Sequence, residues 1–159
     1  MGGATVLMMS DKITDPAVKG IIADCSYTSA WDEFAYQLKN PFGLPAFPLL
    51  YIFDLYCRII CKYSLRDASP IKAVRGAKVP ILFIHGAKDA LVPVKMQKEL
   101  FDACPTQKEM LTVENAVHAQ SYYTDPRAYE AAAEKFINEC ENTENTPALS
   151  APGGGKQIG

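Results

Sequence analysis

The sequence contains few of the residues that bind nucleic acids or metals. Its 159 residues include 16 Lys and Arg against 18 Asp and Glu, which gives a net charge of −2, and no basic cluster is present. This balance argues against nucleic acid or an anionic membrane surface as a partner, because both are bound through basic patches. With only two histidines and five dispersed cysteines, no zinc-binding spacing is completed. We therefore expect no metal and no cofactor.

Long apolar runs and targeting signals are also missing. No uninterrupted apolar stretch reaches the roughly 18 residues of a transmembrane helix, and no signal peptide opens the sequence. We interpret the odd number of cysteines as reduced structural thiols, which favours a cytoplasmic protein. A targeting or anchor segment upstream of Met1 stays an alternative if the sequence is truncated. The absence of a G-x-G-x-x-G motif or a P-loop gives little support to an unrelated ligand-binding domain.

What is present indicates one α/β domain. A chain of this length with 48% hydrophobic residues can bury a core. Short apolar runs at Gly20–Asp24, Ile81–Ile84 and Met110–Val113 are typical of strands buried on both faces of a parallel sheet. Helical patterns separate these runs, so we predict three parallel strands with flanking helices.

An acid and a histidine follow two of these strands. Asp89 comes after the second strand, just before Val92-Pro93 opens a helix, and His118 lies in the loop after the third. Because parallel strands deliver such loops to the same carboxyl edge, we predict the Asp89 carboxylate within about 2.6–3.2 Å of one ring nitrogen of His118. The alternative is that Asp89 caps the next helix and His118 is an ordinary exposed loop residue.

The two loops resemble the last third of an α/β-hydrolase. The segment His85-Gly86-Ala87-Lys88-Asp89-Ala90-Leu91-Val92-Pro93 matches the acid loop of that family, and Val117-His118 matches its histidine loop. The family's triad runs in the order nucleophile, acid, histidine. The resemblance covers residues 1 to about 140 and implies a partial α/β-hydrolase fold that contains its last three parallel strands.

The resemblance implies roles for four residues. Asp89 would be the acid of the triad and His118 its base, while Asp24, after the first strand, is the alternative acid. His85 is more consistent with a hydrogen-bonded structural histidine, because it ends a buried strand. Lys88 we expect to point to solvent.

The serine of the triad is not in the sequence. Met1 to Met9 looks like the helix that follows the family's G-x-S-x-G elbow, with Met1 and Gly2 as its last two residues. The nucleophile would then immediately precede Met1, whose backbone N–H would be an oxyanion donor. The alternative is an ordinary core helix that ends near Asp11.

Residues 30 to 70 differ in composition from the rest. Aromatic residues alternate with prolines there, and Leu49 to Tyr63 is predicted as one largely apolar helix. The segment resembles the cap that α/β-hydrolases insert over the active site, and an aromatic-rich cap would favour an apolar acyl or aromatic group on the substrate. An ordinary crossover helix packed on the sheet is the alternative.

The end of the sequence divides into a helix and a polar tail. Asp125-Pro126 is typical of a helix start. From Glu141 the composition changes to Glu, Asn, Thr, Pro and Gly, so we predict a disordered tail over 141–159.

The function implied by the resemblance is acyl hydrolysis of a small ester or peptide. Ser26 and Cys25 do not lie on a glycine-flanked elbow, so we interpret both as structural, and we expect this chain alone to be inactive. The alternative is a non-catalytic hydrolase-like fragment or interaction protein. An apolar edge on strand 20–24 would also favour self-association or dependence on another chain.

Overall fold

A computed structural model describes residues 1–142 of the protein. The tail that we predicted as disordered therefore lies, from residue 143 onward, outside the described residues. The elements follow one another in this order: α1 (Gly2–Leu7), β1 (Ile21–Asp24), α2 (Ala30–Lys39), α3 (Leu49–Tyr56), a π-helical turn (Cys57–Cys61), α4 (Pro70–Val74), β2 (Ile81–Gly86), α5 (Val94–Ala103), β3 (Lys108–Val113), α6 (Ser121–Thr124) and α7 (Pro126–Asn142).

The three strands form one parallel sheet in the order β1-β2-β3. Ile21 of β1 lies opposite Ile81 of β2, which in turn lies opposite Lys108 of β3. All six residues of β2 are buried, as expected for the central strand of a parallel sheet covered on both faces. The predicted α/β class is confirmed.

Side chains along β2 alternate between the two faces of the sheet, and helices cover both faces. Ile81 and Phe83 enter one core with residues from α1, α4 and α5, whereas Leu82 and Ile84 enter the other with residues from α7. Besides Ile81 and Phe83, the first core contains Leu7, Ile21, Ala23, Val74, Ala77, Leu100 and Cys104. The second contains Phe136 and Cys140. The sheet therefore lies between two apolar cores, beneath the loops at its carboxyl edge.

Three helix ends differ from the sequence-based prediction. The first helix ends at Leu7 rather than near Asp11, because the next N–H groups bond three residues back, as in the bond from Ser10 N to Leu7 O. The helix predicted over 49–63 ends at Cys61, where Lys62 adopts a left-handed φ of 61°. The last helix continues through Asn142, so the prediction that the tail begins at Glu141 was wrong by two residues.

The segment between β1 and β2 packs in part on itself. Ala30, Leu50, Cys57 and Leu65 form a small core that is separate from the two cores on the sheet. Around it, many large apolar side chains are exposed: Phe42, Leu44, Phe47, Leu49, Tyr51, Ile52, Phe53, Leu55, Tyr56, Ile59, Ile60 and Tyr63. An ordinary crossover helix packed on the sheet would bury most residues of this kind.

The start of α7 agrees with the prediction from the sequence. Asp125 accepts a hydrogen bond from Ala128 N at 3.0 Å, so it caps α7. Within residues 1–142, no helix combines the length and the apolar character needed to cross a bilayer.

Candidate active site

The acid loop and the histidine loop are bonded to each other at the carboxyl edge of the sheet. Ala87 N donates to Val113 O and Lys88 N donates to Ala116 O, both at 2.9 Å. Gly86 permits this approach, because a Cβ at that position would collide with the Ala116 carbonyl oxygen. The backbone therefore fixes the distance between the loops that carry Asp89 and His118.

Both oxygens of the Asp89 carboxylate have hydrogen-bond partners. Its side chain is fully buried. Oδ1 accepts hydrogen bonds from Leu91 N at 2.9 Å and Val92 N at 2.8 Å, while Oδ2 lies 2.8 Å from His118 Nδ1. Asp89 thus both caps the turn before α5 and contacts the histidine, and the Asp89–His118 distance falls within the range predicted from the sequence.

The contact with Asp89 determines how His118 can act. A carboxylate only accepts hydrogen bonds, so Nδ1 of the neutral imidazole carries the proton and Nε2 has a free lone pair. The His118 side chain is 31% exposed, in contrast to the buried carboxylate behind it. A partly exposed imidazole oriented by a buried acid is an arrangement suited to a general base.

His85 lies beside this pair and supports it. It is fully buried, and its Nε2 lies 2.9 Å from the carbonyl oxygen of Val92 and 3.4 Å from Asp89 Oδ2. The imidazole therefore donates to the backbone of the acid loop. This placement agrees with the structural interpretation of His85, whereas Lys88 is exposed as expected.

Asp24 is directed elsewhere. Its Oδ1 accepts hydrogen bonds from Cys25 Sγ at 3.1 Å and from Ser121 Oγ at 3.4 Å. Because the carboxylate that contacts His118 belongs to Asp89, the geometry favours Asp89 over the alternative acid.

Cys25 is close to the pair but unsuited to nucleophilic attack. Its Sγ accepts a hydrogen bond from Ala119 N at 3.3 Å. Burial, followed by the hydrogen bond to the Asp24 carboxylate, raises the pKa of the Cys25 thiol to about 12. The thiolate is the nucleophilic form, so a thiol kept neutral at physiological pH is unreactive.

Cys25, Asp89 and His118 are also the group in the described part of the chain that resembles a metal site. Their ligand atoms lie within 4.8 Å of one another. Each residue already has a hydrogen-bond partner, however: Cys25 bonds to Asp24, and Asp89 and His118 bond to each other. The hydrogen bond between Asp89 and His118 accounts for the closeness of these two side chains without an ion.

The start of α1 lies at the same edge of the sheet. A Cβ on Gly3 would collide with Ser26 Oγ and would lie 2.5 Å from the carbonyl oxygen of Asp24, so only glycine allows the helix this close to the loop after β1. The Tyr27 hydroxyl lies 4.0 Å from Met1 Sδ. Ser26 is buried beneath this contact and is poorly placed to attack a substrate.

Two site residues on α2 were not identified from the sequence. Gln37 Nε2 donates to Glu33 Oε1 at 3.0 Å and also to the carbonyl oxygen of Leu91, in the acid loop. Their spacing of four residues predicts a shared helix face. Which face of α2 meets the acid loop depends on tertiary packing, so the sequence carries no signal for this contact.

A comparison with known proteins identifies the family. Residues 4–119 match the family model described as serine hydrolase (FSH1). The chain belongs to this serine hydrolase family. An uncharacterized protein of Bacillus subtilis, YqkD, is 28% identical over 143 residues, which make up 90% of this chain and 47% of that protein.

Solved structures show the same fold. A Pyrococcus furiosus esterase is similar with a TM-score of 0.61 at 19% identity, over 89% of this chain and 51% of the esterase. An acylaminoacyl peptidase of Pyrococcus horikoshii is similar with a TM-score of 0.58 at 14% identity, over 97% of this chain and 24% of the peptidase. The chain thus has a partial α/β-hydrolase fold, and it spans less than half the length of the curated relatives it matches.

Proposed function

We propose that this chain supplies the acid, Asp89, and the base, His118, of a serine hydrolase that cleaves ester or amide bonds. The observation that supports this most is the 2.8 Å contact between the buried Asp89 Oδ2 and His118 Nδ1. The serine precedes α1 in a longer form of the protein, and the residues described here lack the nucleophile.

The chemistry follows from these two side chains. A serine hydroxyl is a weak nucleophile at neutral pH, so His118 Nε2 takes its proton as the oxygen attacks the substrate carbonyl. Asp89 keeps the imidazole in the required tautomer and stabilises the imidazolium. His118 then protonates the leaving alcohol or amine, and a water molecule, deprotonated by the same nitrogen, hydrolyses the acyl-enzyme. The backbone N–H of Met1 is one donor to the oxyanion.

The position of α1 supports this location for the nucleophile. Gly3 brings the start of α1 against the loop after β1, at the edge where His118 lies. Inside the described chain, Cys25 carries a thiol whose pKa is raised to about 12, and Ser26 is buried. Neither residue competes for the role.

The test is ester hydrolysis by the reading frame extended upstream of Met1. We expect His118→Gln to lower kcat by at least about 10³-fold with little change in KM, because it removes the proton acceptor. Lys88→Gln is the matched control, since Lys88 is exposed next to Asp89. Equal activity of the His118 variant and the wild type would contradict the proposal.

A second role, as an interaction protein, is supported by the outer edge of β1. Ile22 is 37% exposed there, between two apolar grooves. One groove is lined by Val18, Gly20, Phe136 and Ile137, and the other by Val6, Met9, Ile13 and Ile21. A free edge of this kind pairs with another strand, so we propose self-association of the chain through β1.

Sedimentation velocity tests whether the chain self-associates through β1. We expect concentration-dependent dimers, and we expect Ile22→Lys to give a monomer, because a charge on an edge strand prevents pairing. A wild-type chain that remains monomeric over the accessible concentration range would contradict self-association while leaving the hydrolase proposal intact.

The proposal also includes a cytoplasmic location and an apolar substrate. The five cysteines are all free, which fits a reducing cytoplasm. The exposed aromatic and aliphatic residues between β1 and β2 fit a substrate with an apolar acyl or aromatic group.

A further inference from the structure

The thiol of Cys25 contacts the histidine loop but has no role in the chemistry above. Cys25 is buried, and its Sγ lies within 4.8 Å of a ring nitrogen of His118 and of a carboxylate oxygen of Asp89. The sulfur accepts a hydrogen bond at 3.3 Å from Ala119 N, the amide that follows His118. This contact joins the loop after β1 to the histidine loop, although the two residues are 94 positions apart in the sequence.

Asp24 orients the thiol for this contact. Cys25 Sγ donates its proton to Asp24 Oδ1 at 3.1 Å, which leaves the lone pairs of the sulfur for the Ala119 N–H. Because the pKa of the thiol is raised to about 12 by burial and by the Asp24 hydrogen bond, the proton to be donated is present at physiological pH. Ser121 Oγ donates to the same Asp24 oxygen at 3.4 Å. The loop after β1 is therefore bonded to the segment that follows His118 at two points.

The backbone is in an unfavourable conformation at both ends of the contact between Ala119 and Cys25. The φ angle is 51° at Cys25 and 57° at Ala119. This left-handed region is costly for residues other than glycine, asparagine and aspartate, and it persists only where the surrounding contacts require it. Because Ala119 immediately follows His118, its conformation sets the direction in which the chain leaves the histidine.

His118 lies between two backbone anchors. On its amino-terminal side, Ala116 O accepts a hydrogen bond from the acid loop at 2.9 Å. On its carboxyl-terminal side, Ala119 N donates to Cys25. The His118 side chain is 31% exposed, so packing holds it less firmly than a buried side chain, and the anchors contribute to its 2.8 Å contact with Asp89.

We infer that Cys25 is a positioning residue, whose hydrogen bond with Ala119 N holds the histidine loop so that His118 Nδ1 keeps its contact with Asp89. The inference rests on the proposed function, because the position of His118 affects a reaction only if His118 is the base. A displacement of about 1 Å can lower a rate about 10²-fold, so a thiol that does not touch the substrate can still affect kcat.

Variants without the thiol test this on the 159-residue chain. Cys25→Ala removes the acceptor of the Ala119 N–H, and Cys25→Gly does the same with a residue that tolerates the φ of 51°. In hydrogen-exchange NMR we expect the Ala119 amide to exchange at least about tenfold faster than in the wild type. In long-range ¹H–¹⁵N spectra we expect a smaller fraction of the His118 ring to carry its proton on Nδ1. Cys25→Ser should restore most of both signals, because its hydroxyl can donate to Asp24 and accept from Ala119 N.

Cys104→Ala is the matched control. Cys104 is as buried as Cys25 and its Sγ also has a hydrogen-bond partner, Thr106 Oγ1 at 3.3 Å, but it lies in a core on the sheet. Its loss should lower the free energy of unfolding without changing Ala119 exchange relative to neighbouring amides or the His118 tautomer. In the extended reading frame, Cys25→Ala should lower kcat about tenfold or more with little change in KM, since it displaces the proton acceptor rather than the surface that binds substrate.

The inference is overturned if folded Cys25→Ala or Cys25→Gly has the Ala119 exchange rate and the His118 tautomer of the wild type, or if Cys104→Ala changes both signals equally. These spectra require no nucleophile, so their outcome is independent of the hydrolysis assay. Hydrolysis that is lost in His118→Gln but unchanged in Cys25→Ala would refute the role of Cys25 and leave the proposed function standing.

Discussion

Asp89→Asn should change the tautomer of His118 while leaving the fold in place. The asparagine oxygen can still accept hydrogen bonds from Leu91 N and Val92 N, which lie 2.9 and 2.8 Å from Asp89 Oδ1 in the wild type. The amide nitrogen then replaces Oδ2 and points its N–H at His118 Nδ1. A donor at that position requires Nδ1 to accept, so the proton moves to Nε2.

The effect on stability can be estimated from the same contacts. Asp89→Asn exchanges a hydrogen bond to a charged group, worth about 1.5–3 kcal/mol, for a neutral one worth about 1 kcal/mol, so we expect a loss of about 0.5–2 kcal/mol. Asp89→Ala also leaves Leu91 N and Val92 N without an acceptor, each at a cost of about 1–3 kcal/mol, so its loss should be clearly larger.

Long-range ¹H–¹⁵N NMR of the histidine rings measures the tautomer of His118, and urea unfolding measures the free energy of unfolding. The His118 ring should carry its proton on Nδ1 in the wild type and on Nε2 in Asp89→Asn. A protonated Nε2 cannot accept a proton from a nucleophile. With the nucleophile present, kcat should fall by a factor on the order of 10⁴. Asp24→Asn is the control and should leave the tautomer unchanged. The same His118 tautomer in the wild type and Asp89→Asn would refute the reasoning.

Three other predictions follow from the packing around the site. Gly3→Ala should destabilise the chain by about 1–3 kcal/mol in urea unfolding, because its Cβ collides with the loop after β1, whereas Gly2→Ala meets nothing within 4 Å and should be neutral or stabilising. In alkylation followed by mass spectrometry, exposed Cys61 should react before buried Cys25 at pH 8, and equal rates would contradict the pKa of about 12 for Cys25. Because that pKa is raised in the folded state, the contribution of Cys25 to the free energy of unfolding should fall as pH rises from 9 towards 12, and Cys25→Ser should lessen this alkaline loss.

The sheet and the Asp89–His118 pair were predictable because their signals are local. Apolar runs identified all three strands, and the rule that parallel strands end at one edge brought the two side chains together. The start of β3 at Lys108, two residues before the predicted Met110, follows from pairing with β2, which the sequence does not display. Lys108 also donates from Nζ to the carbonyl oxygens of Phe101 and Cys104, so this charged residue is accommodated at the start of a strand.

The part of the site formed by α2 was not predictable. Gln37 and Leu91 are 54 positions apart, and their contact depends on how α2 is oriented against the acid loop. The motif around Asp89 predicts its contact with His118, but nothing in the residues near Glu33 indicates that Gln37 connects this carboxylate to the acid loop. Similarly, the π-helical turn at Cys57–Cys61 continues an apolar helical pattern that the sequence alone does not distinguish from an α-helix.

Labelling with a fluorophosphonate, which reacts with activated serines, tests the central claim most directly. The claim is that residues 1–159 contribute the acid and the base but not the nucleophile. We predict no label on the purified 159-residue chain, and label on a single serine upstream of Met1 in the extended reading frame, lost in His118→Gln. A fluorophosphonate adduct at any residue of the 159-residue chain, located by peptide mass spectrometry, would contradict the account.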